Sequence, residues 1–177
     1  MDESLEKNGF KVIKSFIDPV TASDLADGFV KYAGAYGKSD SQSKCPAVYN
    51  YLPFVRMLVH KTPHASVYAG ESLLPTYTYS RHYNAQGSIL EKHTDRDACE
   101  ISFTLNLRKT EPWLFHLTSR QGDHVSLDLD VGDAIMYAGC DVPHWRDAYS
   151  GRDHVQVFLH YVLSHGSKSW AVFDHRL

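Results

Sequence analysis

The feature that most constrains this chain is the series of short strand-like runs that fills it from Leu73 onward. Runs rich in β-branched and aromatic residues alternate with turns that contain Gly, Pro or Lys. Closely spaced strands without intervening helical patterns are typical of a β-sandwich or barrel, and not of alternating strand–helix units. The predicted strands cover residues 76–83, 99–107, 113–118, 124–129, 133–138 and 154–163.

Two of these strands alternate between apolar and polar residues. In both 99–107 and 154–163 the odd-numbered positions are apolar, while most of the even-numbered ones are polar. Each strand therefore has one face that is suited to a core. The polar face can be solvated or can line a ligand cavity, and the pattern alone leaves both possibilities open.

The N-terminal part of the chain is predicted to be mainly helical. After the extended start FKVIKSFI, a capping box at 21–24 predicts a helix that runs to about residue 36. A second helix is predicted over 52–60 and is expected to break at Pro63, and the polar segment 37–46 is predicted to be a mobile loop. We therefore expect one domain of 177 residues: helical support in 1–72, an antiparallel jelly-roll core with the helices packed on one sheet in 73–165, and a C-terminal tail in 166–177.

Composition narrows the class of protein. The formal charge of −3 argues against a protein that mainly neutralises nucleic-acid phosphates, and no apolar stretch approaches the length of a membrane span. The start, MDESLEKNGF, lacks the apolar segment of a signal peptide. The three cysteines are widely spaced and suggest neither a disulfide framework nor a metal knuckle. We expect a cytoplasmic protein with no nucleic-acid or membrane partner.

His93 and Asp95 form an H-x-D pair whose spacing places both side chains on one face of an extended chain. Such a pair is common, and a surface strand end explains it equally well. A second histidine, His144, follows a turn at 140–143. Two histidines and one carboxylate are the ligand set of non-haem Fe(II) oxygenases, in which open coordination positions receive oxygen and substrate. The sequence therefore predicts Fe(II) held by these three residues.

Arg152 lies eight positions after His144, ahead of the last predicted strand. On the same face as Gln156 and Phe158, its guanidinium could form paired hydrogen bonds with the far carboxylate of a diacid. A solvated arginine at a strand edge is the alternative for Arg152 considered by itself. The order H-x-D, histidine, arginine favours the functional interpretation.

The second half of the chain resembles the catalytic core of prolyl-4-hydroxylase-like Fe(II)/2-oxoglutarate-dependent dioxygenases. The resemblance covers residues 73–163 and rests on LPTYTYSRHY (74–83), HTD (93–95), ISFTLNL (101–107), VGDAIMY (131–137), PH (143–144) and GR (151–152). It implies a double-stranded β-helix fold, related to the cupins. The helical first third agrees with the family only in general layout.

This resemblance also implies roles for further residues. Arg152 would pair with the far carboxylate of 2-oxoglutarate, and Tyr83 would contact the carboxylate on the iron side. Thr104 stands where some relatives carry a tyrosine that supports the far carboxylate, so the chain departs from the family pattern there and keeps only a hydroxyl.

The implied reaction consumes O2 and converts 2-oxoglutarate to succinate and CO2, with ascorbate as a supporting reductant. It hydroxylates a C–H bond of a prolyl residue, an amino acid or a related small substrate. Related halogenases lack the carboxylate ligand, so Asp95 favours hydroxylation over halogenation.

Candidate substrate-binding residues are Tyr79 and Arg81, on the same strand face as Tyr83, and further pocket candidates are Trp145, Arg146, Phe158 and His160. An aromatic pocket with one cation suits a substrate that carries a carboxylate, or a peptide backbone. Ordinary aromatic packing in a half-buried strand explains the tyrosines equally well.

Two other functional classes remain open. One is a catalytically silent jelly-roll module in which the same three residues bind a structural metal. The other is a zinc hydrolase, which would require a general base such as Glu91 or Glu100.

Overall fold

The computed structural model describes residues 1–39, Ser43 and residues 45–175. Its α-helices are α1 (Glu3–Asn8), α2 (Pro19–Tyr36) and α3 (Leu52–Ala69). Its strands are β1 (Phe10–Ile13), β2 (Lys38–Ser39), β3 (Pro46–Tyr49), β4 (Leu73–Tyr83), β5 (Leu90–His93), β6 (Ile101–Lys109), β7 (Phe115–Thr118), β8 (His124–Leu127), β9 (Ala134–Tyr137), β10 (His144–Arg146) and β11 (His154–Leu163). Short 3₁₀ turns lie at Asp97–Cys99 and within Ser169–His175, where the backbone of Val172, Phe173 and Asp174 is not helical.

The strands form two antiparallel sheets. The larger sheet has the order β1-β9-β6-β11-β4-β3-β2, and the smaller sheet has the order β5-β10-β7-β8. Consecutive strands from β4 to β11 repeatedly change sheet, as they do in a jelly roll. The predicted fold class, mainly β with helices packed on one sheet, is confirmed.

The helices cover the outer face of the larger sheet. Phe29 of α2 and Phe54 and Leu58 of α3 have almost no exposed surface. They belong to the same apolar cluster as the odd-numbered residues from 101 to 107 in β6 and from 155 to 161 in β11. The Tyr161 hydroxyl of β11 donates a hydrogen bond to the Leu58 carbonyl oxygen at 3.1 Å, which ties α3 to the sheet. The apolar alternation in the sequence therefore corresponds to this helix-covered face.

The opposite face of β6 and β11 is polar and is also buried. Ser102, Thr104, Asn106 and Gln156 each have no exposed surface. They point into the space between the two sheets, because the helices occupy the other side. The choice that the sequence left open is thus decided: the polar face lines an interior and is not solvated.

Three N-terminal features differ from the predictions. Helix α2 begins at Pro19 with Asp18 as its N-cap, and not at the predicted capping box 21–24. Helix α3 does not end near residue 60 but continues through Pro63 to Ala69, because Leu58, Ala65 and Ala69 on its buried face keep packing against the sheet. This packing offsets the backbone hydrogen bond that a proline removes. The first third also supplies β1, β2 and β3 to the larger sheet, so it is less purely helical than predicted.

The two predicted irregular segments are partly structured. Strands β2 and β3 occupy both ends of the predicted loop 37–46, of which residues 40–42 and 44 lie outside the described part of the chain. The predicted tail contains the 3₁₀ segment Ser169–His175, where Ala171 is fully buried. None of the helices in the described ranges has both the length and the apolar character that crossing a membrane requires.

Phe103 provides a test of the helix-covered core. Its ring lies between those of Phe16 and Tyr161, with centroids 5.4 and 5.6 Å away, and has no exposed surface. Phe103→Ala should lower the free energy of unfolding by about 3–5 kcal/mol, because it leaves a cavity in a packed core. Urea denaturation measures this change. The control Tyr36→Ala, at a residue 69% exposed, should change stability little. Equal effects of the two variants would contradict this core.

Candidate metal centre

Strand pairing brings the two predicted histidine ligands together. Strands β5 and β10 are antiparallel neighbours, and His144 lies directly opposite His93 in their register. Asp95 lies two residues after the end of β5, and its backbone N–H donates to the Gly139 carbonyl oxygen at 2.8 Å. The Nε2 atoms of both histidines are 3.7 Å from Asp95 Oδ1. The three side chains therefore surround one point, as a shared cation requires.

Hydrogen bonds set the tautomer of both histidines. The Nδ1 atom of His93 lies 2.7 Å from the Glu91 carbonyl oxygen, and that of His144 lies 2.9 Å from the Val142 carbonyl oxygen. A carbonyl oxygen only accepts, so each Nδ1 must carry the proton. Each Nε2 is left with a lone pair that faces Asp95. This is the arrangement in which histidine binds a metal, and the donor set fits Fe(II) or another transition metal.

A buried hydroxyl orients the Asp95 carboxylate. Ser102 Oγ donates to Asp95 Oδ2 at 2.8 Å and lies 2.9 Å from His160 Nδ1. Since the hydroxyl has one proton and gives it to the carboxylate, His160 Nδ1 must donate to Ser102. The resulting chain occupies Oδ2 and leaves Oδ1 available to a metal.

Close packing at Gly139 limits where this carboxylate can lie. A Cβ atom at Gly139 would come within 2.5 Å of Asp95 Oδ2, 2.7 Å of Ser102 Oγ and 2.4 Å of the Cys99 carbonyl oxygen. Real Cβ atoms do not approach other atoms so closely. Glycine is therefore needed here to let the turn before β10 approach the Asp95 side chain.

Burial keeps His144 and His160 neutral. It lowers the pKa of His144 to about 3, with the neighbouring His93 as a second cause. Burial also lowers the pKa of His160 to about 4. Neutral imidazole is the form that binds a metal, so His144 needs no deprotonation at neutral pH to act as a ligand.

A second grouping, Asp95 with Cys99 and His160, is less suited to a metal. The Cys99 thiol is 3.0 Å from the Tyr77 hydroxyl, and burial raises the pKa of this thiol. His160 Nδ1 is already bonded to Ser102. A protonated thiol is a poor ligand, so the described structure favours the first grouping.

A cavity of about 420 Å³ opens onto the three candidate ligands. Its walls are mostly aromatic, with two arginines. They comprise Tyr49, Tyr77, Tyr79, Arg81, Leu90, His93, Thr94, Asp95, Arg96, Tyr137, His144, Phe158 and His160. The predicted substrate-binding residues Tyr79, Arg81 and Phe158 are thus in the cavity wall. Arg96 and Tyr49 were missed, although the position of Arg96 directly after the H-x-D pair was a usable signal.

The expected position of Arg152 is wrong. Its side chain is exposed and does not line the cavity. Strand β11 begins only at His154, and the inward-facing positions of its first part belong to His154 and Gln156. Arg152 lies in a bend before the strand. The alternation of inward and outward side chains along β11 therefore does not extend to this residue.

The expected position of Trp145 is also wrong. It lies between the inward-facing His144 and Arg146 on β10, and consecutive strand residues point to opposite faces. Its ring stacks on His116 and His124, with centroids 5.5 and 5.0 Å away, on the outside of the smaller sheet.

Arg146 supplies the interior cation that Arg152 does not. It is 2% exposed and two residues beyond His144 on the same face of β10. Its guanidinium donates to the Trp113 carbonyl oxygen and to Gln156 Oε1, the latter at 3.3 Å, and Nε has no partner. It forms no ion pair with a carboxylate anywhere in residues 1–39, 43 or 45–175. Burial lowers the pKa of Arg146 to about 10, so it remains charged at neutral pH.

Gln156 connects Arg146 to Thr104. Its carbonyl oxygen accepts from Arg146 and, at 2.7 Å, from His154 Nε2, and its amide donates to Thr104 Oγ1 at 2.6 Å. Thr104 is fully buried on the neighbouring strand β6. A buried polar network with a cation therefore lies in the interior beyond the three candidate ligands, and its members Arg146, Thr104 and Gln156 are not part of the described cavity wall.

Tyr83 is fully buried but lies away from the metal centre. It faces His154 in the β4–β11 register, about six residue positions along β11 from His160. Its ring packs against Trp113, with centroids 4.6 Å apart, and its hydroxyl accepts from Arg81 at 3.4 Å. This position does not match the expected contact with an iron-side carboxylate.

Comparisons with known proteins establish the fold. No family model and no curated protein matches the chain. A solved prolyl-4-hydroxylase of Pseudomonas putida matches with a TM-score of 0.70 and 14% identity over 90% of this chain and 95% of its own. The non-haem α-ketoglutarate-dependent epimerase SnoN from nogalamycin biosynthesis gives a TM-score of 0.76 at 12% identity over 90% of this chain and 78% of its own. HygX from Streptomyces hygroscopicus, solved with nickel and 2-oxoglutarate, gives 0.67 at 12% identity over 93% of this chain and 86% of its own.

At these identities the comparisons show a shared fold, the double-stranded β-helix that the sequence resemblance implied. The resemblance to the oxygenases is thereby confirmed at the level of architecture. The function has to be inferred from the residues of this chain.

His154 offers a test of the polar interior. Burial, followed by the charge of Arg146, lowers its pKa well below the ordinary value. Below about pH 6.5 the unfolded chain therefore binds a proton that the folded protein excludes, and stability falls as pH falls. His154→Gln should flatten this dependence by up to about 1.4 kcal/mol per pH unit in denaturant titrations from pH 7 to 5. Exposed His64→Gln is the control. An unaltered slope in His154→Gln would show that the buried imidazole is not excluded from protonation.

Proposed function

We propose that this protein is an Fe(II)- and 2-oxoglutarate-dependent oxygenase that hydroxylates a C–H bond of a small molecule. The observation on which the proposal depends is Arg146, a buried cation without a carboxylate partner in the described structure, two strand positions from the candidate ligand His144. A buried charge without a counterion is costly in a folded protein. An anionic ligand that reaches from the metal centre into the interior would remove that cost.

The co-substrate fits this arrangement in length and charge. Residues i and i+2 of a strand lie about 6.6 Å apart, a separation that a five-carbon diacid can span. Its far carboxylate would bind the Arg146 guanidinium, with Thr104 and Gln156 as further hydrogen-bonding partners. Its other end would bind the metal held by His93, Asp95 and His144. When bound, iron and 2-oxoglutarate supply the oxygen activation, and the co-substrate leaves as succinate and CO2.

The protein's own contribution is orientation and exclusion of water. Ser102 and Gly139 hold the Asp95 carboxylate in one orientation, and the two backbone carbonyls hold the imidazoles. The aromatic wall of the cavity shields the reacting centre from bulk solvent, which protects reactive species from side reactions. Ascorbate would act as an external reductant and needs no site of its own.

The cavity favours a small substrate among the expected prolyl residues, amino acids and related molecules. Its volume of about 420 Å³ is near the lower end of the range for ligand pockets, and the metal-binding end of the co-substrate would fill part of it. A free amino acid or a molecule of similar size fits that space better than a peptide segment does.

The hydrolase alternative is weakly supported. Glu91 is exposed, and Glu100 Oε2 already accepts from the Leu163 backbone N–H at 2.9 Å. Neither glutamate lines the described cavity, so neither is placed to activate a metal-bound water. A catalytically silent metal module would not need Arg146, and the tests below separate it from an oxygenase.

Metal binding tests the choice of ligands. His93→Ala, Asp95→Ala and His144→Ala should each lower the affinity for Ni(II), a stable substitute for Fe(II), by at least about 100-fold, because each removes a direct ligand. Isothermal titration calorimetry measures the affinity. Cys99→Ser is the matched control, since it belongs only to the second grouping. If Cys99→Ser loses the metal and His93→Ala keeps it, the assignment is wrong.

The two arginines test the co-substrate site. Arg146→Gln should raise the KM for 2-oxoglutarate in succinate formation by at least about tenfold, because it removes a charged hydrogen-bonding partner from the far carboxylate. Arg152→Gln should leave that KM unchanged, because its side chain is exposed.

Binding of 2-oxoglutarate to the Ni(II) protein provides a second readout that does not need turnover. Arg146→Lys keeps the charge and should retain part of the affinity, which separates loss of binding from misfolding. Normal binding in Arg146→Gln together with lost binding in Arg152→Gln would show that Arg152, and not Arg146, binds the far carboxylate of 2-oxoglutarate. No binding in the parent protein would favour the silent module.

A further inference from the structure

The mouth of the cavity contains a network that the proposed reaction does not use. The Arg96 guanidinium lies over the Tyr77 ring, 4.3 Å from its centroid, and Nε donates to the Tyr77 hydroxyl at 3.3 Å. Arg96 Nη1 donates to Asp174 Oδ1 at 2.8 Å, and the Tyr49 hydroxyl donates to Asp174 Oδ2. The carboxylate of Asp174 therefore accepts hydrogen bonds from the Arg96 guanidinium and the Tyr49 phenol, both of which belong to the cavity wall.

The rest of the cavity wall combines apolar surface with positive charge. Tyr79 and Phe158 are direct neighbours in the β4–β11 register, and both line the cavity. Arg81, which is 5% exposed, has its guanidinium carbon 5.2 Å from the centroid of the Tyr79 ring. Arginines already lie over the rings of Tyr77 and Tyr79, so the aromatic wall is not available as a cage for a cationic ligand.

Asp174 is held by these contacts in an unfavourable backbone conformation. Phe173 and Asp174 have φ angles of 48° and 52°, in the left-handed region that side chains with a Cβ rarely adopt. Two such residues in succession persist only where neighbouring contacts stabilise them. When another ligand replaces the contacts of Asp174 with Arg96 and Tyr49, we therefore expect Phe173 and Asp174 to relax to a more favourable backbone conformation and move away from Arg96.

We infer that Asp174 occupies the carboxylate subsite of the substrate, and that the substrate is a small carboxylic acid with a ring-bearing apolar body. The acid displaces Asp174 from Arg96 and Tyr49 and places its body against Tyr79 and Phe158, towards the metal centre. This inference rests on the proposed function, because it assigns the substrate class of that same cavity. Since the exchange replaces one carboxylate with another, the charge around Arg96 stays balanced in both states.

Binding of a simple probe set tests the inference. The probes are 3-phenylpropionate, its neutral amide and 3-phenylpropylamine, titrated into protein loaded with Ni(II) and saturating 2-oxoglutarate so that the co-substrate site is filled. The parent protein should bind the acid about tenfold more tightly than the amide, because the charged hydrogen bonds to Arg96 are lost in the amide. The amine should not bind. Equal affinity for acid and amide, or tighter binding of the amine, would overturn the substrate class.

Two substitutions locate the subsite. Arg96→Gln should abolish the preference for the acid while leaving affinity for the amide unchanged, an effect that general loss of structure would not produce. Arg108→Gln is the matched control, because Arg108 also pairs with an aspartate, Asp27, but outside the cavity. A preserved preference in Arg96→Gln would exclude Arg96 as the subsite.

Replacing Asp174 should change the affinity for the acid in the opposite direction, that is, raise it. Asp174→Asn weakens the internal competitor, so affinity for the acid should rise roughly two- to fivefold, the range expected for a partly exposed ion pair. Unchanged or weaker binding in Asp174→Asn would show that Asp174 does not occupy the subsite.

Repeating the titrations on metal-free protein separates the two proposals. If Ni(II) and 2-oxoglutarate do not bind to the parent, the oxygenase function fails. A preference for the acid that depends on Arg96 would then still support the subsite.

Discussion

The antiparallel pairing of β5 with β10 is the constraint on which the candidate metal centre depends. It places His144 opposite His93 although the two are far apart in the chain. The same short strand β10 also pairs with β7, so it is held from both sides within the smaller sheet. Asp95 lies just beyond the pairing and depends on the backbone of Gly139 and the hydroxyl of Ser102 for its position. A rigid sheet therefore holds two candidate ligands, and a close backbone contact holds the third.

The interior between the sheets is polar, and this sets a second requirement. Buried polar groups are costly unless they have hydrogen-bonding partners. Most of those near the site are satisfied locally: Asp95 by Ser102, Ser102 by His160, and Thr104 by Gln156. Arg146 differs from these groups, because its charge has no counterion in the described structure and its Nε has no hydrogen-bonding partner. The proposed co-substrate would complete the network that the protein leaves incomplete.

Much of the architecture and part of the site could be predicted from the sequence. Period-two alternation in β6 and β11 predicted the faces of the larger sheet, because the side-chain period of a strand is a local property. The H-x-D spacing predicted that His93 and Asp95 share a face for the same reason. The end of α3 could not be predicted locally, since burial of Ala65 and Ala69 against the sheet outweighs the effect of Pro63. Arg152 was assigned inward by extending an alternation beyond the residue at which β11 begins.

The sequence by itself determined which residue types occur at which strand positions, and hence the fold class and the three candidate ligands. Only the tertiary structure decided which of several arginines enters the interior, because that depends on where β10 and β11 begin and how they are aligned with their neighbours. Arg146 was distinguishable from Arg152 by its spacing of two from His144, but its burial arises from packing against Trp113, in the segment before β7, and against Gln156 of β11. The contact between Arg96 and Asp174 likewise joins segments that are remote in the chain, and no local pattern predicts it.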